Sequence, residues 1–600
     1  MTVSTRLSPT TPDSRTSPHS RTAPGPAVTL WEGAAPDADQ PNFPAYAREL
    51  LAHAGIAYRS TAGRAGLTPG GITLLTTSVT ADEAGVLSAW VAGGGCLLVT
   101  ADLGPLARLA GVVPGEAVST AQVTVRDCAF WSQVPGRALR AIGGRALAPV
   151  DGAEALATWA DGSAAITVRH HGAGAVVTFG VDVLKSVVRI QQGYPVDTDG
   201  APAADGTAPI DDGILKAEDG AALDLDADRQ MPAGQPALAA DFRHAYPPPS
   251  AVPMFDQPHA DWWRSLLLQA LWWAAQEGGS VVPWLGYWPA GVAAIAHMSH
   301  DSDGNKPEDG LAALAAFAEA DVAVTWCQVY PGGYGREIYE QITAAGHEHA
   351  LHYNAMDDAD LATWGWPQLR AQYAWAQAVT GREDIVSNKN HYTRWEGWDE
   401  FYTWCERLGI EIDESRGPSK QGNVGFPFGT AHVSFPLAAP GAETDFRDVL
   451  NLPLHTQDLA WAGHVAARDV ILDAVQAQHG VAHFLFHGPH LNGKPLTRAA
   501  CIEVAAEARR RGMPWWTSER INAWERTRRG VRVEISRGGD DWLLSVSTDV
   551  PVEGAAILLP TDVRVSGPAH SVAEVTRHGR AFAELAVDLP AGTSTWTLTR

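Results

Sequence analysis

Apolar positions along this chain follow two periods that take turns. From residue 27 to about 194, short apolar runs bounded by Gly, Pro and Asp alternate with stretches where apolar residues return every three or four positions. The runs predict strands over 71–78 and 96–100, the latter entered through Gly93-Gly94-Gly95. The helical spacing predicts helices over 44–55 and 81–93. Residues 164–170 and 175–180 read as a hairpin turned at 172–174. This is an α/β domain with a late antiparallel element. Residues 195–280 break the rhythm: a connection rich in Asp, Ala, Gly and Pro runs to Pro247-Pro248-Pro249 and then to a helix over 261–277. It reads as a solvated linker or an ordered lid. Over 281–527 the alternation resumes. Helices are predicted over 311–320, 336–345, 366–380, 398–408, 465–478 and 498–511, and strands over 322–329, 347–353, at Ile410 and over 483–487, which fits a (β/α) barrel. Over 528–600 short alternating strands remain with no helical signal, which predicts a β-sandwich. The expected class is α/β and multidomain, and no internal repeat is evident.

Composition narrows the setting. An apolar fraction of 45% supports large cores, and a net charge of −24 argues against nucleic acid and anionic membrane surfaces as partners. The five cysteines are scattered and form no CxxC pair, so neither a disulfide framework nor a thiolate zinc site is indicated. Residues 1–26 are rich in Ser, Thr, Pro and Arg, lack the apolar core of a signal peptide and read as a disordered tail. The uncharged stretch 279–298 is interrupted by Gly and Pro and makes a poor membrane span. A cytoplasmic location is expected.

The chemistry gathers where apolar runs end. Val292–Met298 stops at His300-Asp301-Ser302-Asp303-Gly304, a strand running into a turn. Alternation puts Asp301 and Asp303 on one side. An Asx-turn that only caps the strand is the plainer reading. Downstream, His347, His349, His352, His391, His455, His483, His487 and His490 follow, several at strand ends. Imidazoles with an Asp-x-Asp are the composition of a site for zinc or a similar divalent ion.

Four segments, covering about 290–490, resemble the polysaccharide deacetylase family (carbohydrate esterase family 4). These are His300-Asp301-Ser302-Asp303, Gly346-His347-Glu348-His349-Ala350-Leu351-His352, Asn390-His391-Tyr392-Thr393-Arg394-Trp395 and His483-Phe484-Leu485-Phe486-His487. The resemblance implies a deacetylase-type barrel and metal-assisted hydrolysis of an N-acyl or O-acyl group on a carbohydrate or related substrate. It makes Asp301 the base, Asp303 and His352 metal ligands and His487 the general acid. The family's second metal His falls on Met356 here, a poor ligand, so His391 is the best third donor and His349 the runner-up. The third segment lacks the family's Arg-Pro core. Arg394 and Trp395 are taken as substrate-binding, Trp395 because it neighbours His391. A non-catalytic carbohydrate-binding or assembly protein on a decayed deacetylase scaffold is the alternative, and Met356 favours it. Residues 27–194 resemble, by pattern alone, the flavodoxin-like, glutamine-amidotransferase-like domains attached to carbohydrate-active enzymes. That family's nucleophilic Cys sits on a strand-to-helix elbow, whereas Cys96 begins a strand, so a structural or homo-oligomerising role is expected for this domain.

Overall fold

A computed structural model describes residues 27–33, 39–237, 251–356, 363–538 and 541–600. The tail expected over 1–26 and the prolines at 247–249 lie outside the described residues.

The first part is an eleven-stranded sheet. Tyr58–Thr61, Val28–Trp31, Ile72–Leu75, Cys96–Val99 and Gly174–Phe179 lie side by side and parallel. Beyond them the pairing turns antiparallel, beginning with the Ala164–His171 and Gly174–Phe179 hairpin. Helix Ala81–Ala92 starts where Thr80 accepts from the Glu83 amide and Glu83 returns the bond to the Thr80 amide, a reciprocal cap that satisfies two otherwise orphaned donors. Cys96 is buried, and burial pushes its thiol up to about 11, so it carries no thiolate for nucleophilic chemistry.

Helix His259–Glu277 is apolar nearly all round, and 16 of its 19 residues are buried. A helix of that kind needs cover on every side. Trp263 donates to the Arg140 carbonyl at 2.7 Å, and Trp272 stacks near Phe582 at a ring separation of 4.3 Å. On another side the Asp261 carboxylate takes the Ala431 amide at 2.7 Å.

The barrel sheet is all parallel. Its strands are β1 (Ile295–Asp301), β2 (Thr325–Val329), β3 (Glu348–Tyr353), β4 (Ser387–Asn390), β5 (Ile412–Asp413), β6 (Leu450–Asn451), β7 (Thr456–Gln457) and β8 (Val481–His487). In space they run β6-β5-β4-β3-β2-β1-β8-β7, a curled sheet that opens between the two short strands β6 and β7. Strands β1 to β4 are buried along their whole length, as expected of a parallel sheet covered on both faces. Register sets the site: Asp301 pairs with Cys327 and His487, and His352 pairs with Val329 and Lys389.

After Arg532 two antiparallel four-stranded sheets share one core built from Val533, Leu544, Ile557, Leu585 and Trp596. Trp284–Leu285, which the sequence pattern groups with the barrel, pairs instead with Val552–Leu559 in one of these sheets. Leu285 joins the core of these sheets while Trp284 packs on the other side, and a two-residue strand is too short to show a period.

The connection 195–237 is ordered and packed against the barrel and is not a solvated linker. Lys216, Glu218 and Asp228 are buried, and Val196 and Lys216 form bridges to Gly397 and Arg394. The Glu218 carboxylate accepts from Thr393 at 2.9 Å, bracing the loop that follows β4.

Charge also ties the parts together inside the protein. Glu49, on helix Tyr46–His53, accepts two bonds from Arg529, on helix Ser518–Gly530, at 2.6 and 2.7 Å, and Arg529 also reaches Glu525 at 2.6 Å. All three are buried. Removing one member of a buried pair leaves an uncompensated charge, at a cost of about 3–5 kcal/mol. Glu49→Ala is therefore expected to lower the unfolding free energy by about that amount in urea titrations. A loss below about 1 kcal/mol would show that Arg529 finds equivalent partners without it.

Candidate metal centre

Asp301 closes β1, and Asp303 opens the 3₁₀ turn Asp303–Asn305 just beyond it. Ser302 and Asn305 hold that turn: the Ser302 hydroxyl donates to Asn305 Oδ1 at 2.9 Å, and Asn305 Nδ2 donates to the Val329 carbonyl at 2.7 Å. Asp303 Oδ1 lies 3.6 Å from His352 Nε2, and its Oδ2 lies 3.5 Å from His391 Nε2. Corners of a zinc tetrahedron with bonds of about 2.0–2.2 Å stand about 3.3–3.6 Å apart, so this spacing suits an ion between the three.

The tautomers suit it too. His352 Nδ1 faces the Lys389 carbonyl at 2.9 Å, and a carbonyl only accepts. His391 Nδ1 faces Asn354 Oδ1 at 2.9 Å. That amide is oriented by its own bonds, since Asn354 Nδ2 donates to the Tyr330 carbonyl at 2.7 Å and Oδ1 also takes the Met356 amide at 3.0 Å. Both rings thus hold a proton on Nδ1 and turn Nε2 toward Asp303. Asp303 Oδ1 and His352 Nε2 are buried without a hydrogen-bond partner. Burial opposes charge on Asp303, and His352, His391 and His487 outweigh it, holding the carboxyl well below its usual range.

Asp301 stands beside this set in a different environment. Its Oδ2 is 3.3 Å from the Lys389 ammonium, 3.3 Å from His352 Nε2 and 3.7 Å from His487 Nε2. Burial works against its charge, yet His352, Lys389 and His487 keep its pKa low. His487 ends β8 with Nδ1 2.5 Å from Asp458, which His490 Nδ1 also meets at 2.8 Å. Burial alone would discharge His487; Asp458, then Asp303 and Asp301, raise it to about 9.

The loops that carry these groups are strained. Asn305, Tyr392, Thr393 and Asp458 all have positive φ, between 28° and 59°. Non-glycine residues held there cost of order 1–3 kcal/mol each and cluster at functional sites.

The structure thus brings Asp301, Asp303, His352, His391 and His487 together at the C-terminal ends of the strands. His349 faces away, bonded to Thr343 at 2.8 Å. Trp395 and Arg394 do not line the site. Trp395 is fully buried among Phe401, Tyr402 and Arg416, and Arg394 is buried and paired with Glu396. The two residues between them and His391, Tyr392 and Thr393, are both left-handed, which sends the chain inward. The exposed aromatic beside His391 is Tyr392, at a ring separation of 4.6 Å. Lys389, Asn354 and Asp458 escape the sequence reading, and His490 stands in its histidine series without a role. A lysine in the polar run Ser387-Asn388-Lys389-Asn390 gives no strand signal, and Asp458 sits in a loop.

Asn354 touches no ion ligand pocket directly but aims His391. Replacing such an orienting partner typically costs 10–100-fold in metal affinity. Asn354→Leu is expected to weaken zinc binding by roughly that factor in chelator competition. Unchanged affinity would remove His391 from the ligand set.

No family model matches the chain, and no curated protein matches it. Among solved structures, a Mycobacterium smegmatis protein described as a polysaccharide deacetylase aligns at 17% identity and a TM-score of 0.31, over 42% of this chain and 96% of that one. The Puue allantoinase aligns at 13% and 0.30, over 40% and 92%. The Bc1960 peptidoglycan N-acetylglucosamine deacetylase aligns at 14% and 0.25, over 40% and 90%. Likenesses this distant carry nothing about what the chain does; what they give is that about two fifths of it aligns with nearly the whole of each of these three proteins.

Proposed function

We propose that this protein is a metal-dependent hydrolase that removes an acyl group, acetyl in the simplest case, from a carbohydrate or related N-acyl substrate. One observation carries the reading. A carboxylate faced by two imidazole Nε2 atoms, a second carboxylate paired with a buried lysine, and a cationic imidazole backed by a carboxylate all meet at one end of the parallel sheet. Asp303, His352 and His391 would hold the ion, zinc by its donors. Once bound, such an ion polarises an acyl oxygen and makes a coordinated water more acidic.

The chain's own groups then divide the proton work. Asp301, kept ionised beside Lys389, accepts the proton of the attacking water. His487, protonated on both nitrogens below about pH 9, gives its Nε2 proton to the departing amine or alkoxide. Asp458 holds the Nδ1 proton and keeps the ring facing the carboxylates. Tyr392 and half-buried Trp461, next to His391 and His490, offer ring faces to a sugar. The position of His391, 3.5 Å from Asp303, favours hydrolysis over the non-catalytic alternative, because it could offer the donor that Met356 cannot.

Asp301→Asn preserves shape and abolishes basicity. It is expected to retain the ion and to slow acetate release from acetylated saccharides by about 10²–10⁴-fold. Asp303→Asn should lose both ion and turnover. If Asp301→Asn sheds its metal or works at the parent rate, this division of labour is wrong.

A further inference from the structure

Three more groups converge inside the barrel, and the hydrolytic site does not use them. His297 lies on β1 four residues before Asp301, about 13 Å lower along the strand. His483 lies on β8, in register with His297. Glu414 follows β5 directly. All three side chains are fully enclosed. Glu414 Oε1 is 3.3 Å from His297 Nε2, and Oε2 is 3.5 Å from His483 Nε2.

Both tautomers are again fixed by carbonyls. His297 Nδ1 donates to the Trp516 carbonyl at 2.8 Å, and His483 Nδ1 donates to the Pro453 carbonyl at 3.2 Å. Each ring therefore turns its Nε2 toward a carboxylate. Lone pairs facing a carboxylate repel unless a proton or a cation lies between them. The Ser299 hydroxyl, 2.8 Å from His483 Nε2, can serve that ring alone. His297 Nε2 and both Glu414 oxygens have no hydrogen-bond partner. Among the described residues no Lys or Arg nitrogen lies within ion-pair distance of Glu414.

A shared proton would draw the groups to about 2.7–2.9 Å, the length of charge-assisted bonds. The separations of 3.3 and 3.5 Å instead match the edge of a zinc tetrahedron, about 3.3–3.6 Å for bonds of 2.0–2.2 Å. We infer that His297, Glu414 and His483 hold a second divalent ion of the zinc class, with the Ser299 hydroxyl or one enclosed water at the fourth corner. The site is closed to solvent, so its ion is structural: it ties β1, β8 and the segment after β5 into one unit and is taken up as the barrel folds.

Counting zinc by elemental mass spectrometry tests this on the intact protein, expressed with zinc and washed with a chelator at neutral pH. A strand-end ion would lie beside the partly exposed Asp303 and His391 and should leave in the wash, while the inner ion should stay until the chain is unfolded in guanidinium with chelator. One zinc per washed chain is expected, in the parent protein and in Asp303→Asn alike, and none in Glu414→Gln. Zinc absent from both the washed parent and washed Asp303→Asn would overturn the inference, and so would one zinc that Asp303→Asn loses. If Glu414→Gln fails to fold, the Asp303→Asn count decides alone, because that variant leaves the inner groups untouched. Two ions before the wash support both sites. A single ion that Asp303→Asn keeps supports the inner site and sinks the strand-end one. X-ray absorption of the retained ion should show nitrogen and oxygen neighbours with two imidazoles; a spectrum without imidazole scattering would place the ion elsewhere.

Discussion

The chemistry of this barrel depends on where imidazole protons are parked. Five histidines converge on carboxylates, and each has its Nδ1 proton claimed from outside the cluster. The claimants are the carbonyls of Lys389, Trp516 and Pro453, the side-chain oxygen of Asn354 and the carboxylate of Asp458. Every Nε2 therefore faces inward. Three of the claimants are main-chain carbonyls, so the arrangement is set by strand register and loop path before any side chain chooses a rotamer. A one-residue slip in β3 or β4 would move His352 off the Lys389 carbonyl and turn its Nε2 away.

The difference between the two aspartates follows from the same framework. Asp303 meets the ring nitrogens of His352, His391 and His487. Asp301 sees a lysine ammonium as well, which keeps it charged yet fixed. Two carboxylates of one short motif thus sit in separate environments set by their neighbours and not by their spacing. The strained turns at Asn305, Thr393 and Asp458 are held by partners drawn from distant parts of the chain, Glu218 among them.

Much of the secondary structure is legible in the sequence, because long helices such as Trp366–Thr380 and wholly apolar strands such as Cys96–Val99 carry strong periods. The strand-end residues Asp301, Asp303, His352 and His487 are legible as well, since polar residues closing an apolar run stand out. What the sequence hides is whatever a run of polar residues does when buried. Strand β4, Ser387–Asn390, reads as a loop, and with it Lys389 disappears from view. Asp458 is invisible because its role comes from tertiary proximity to His487, 29 positions away. Trp395 misleads for the opposite reason: nearness in sequence to His391 says nothing once two left-handed residues turn the chain inward.

Helix His259–Glu277 sets a condition on how the molecule can be taken apart. Its tryptophans are shared out among the N-terminal sheet and the C-terminal sheets, and its first turn is bonded to the barrel. A boundary drawn on either side of it would expose an apolar surface that its neighbours now cover. Fragments made by cutting there would be expected to aggregate. The natural unit for expression, dissection or grafting is therefore the whole chain, even though its sheets are separate.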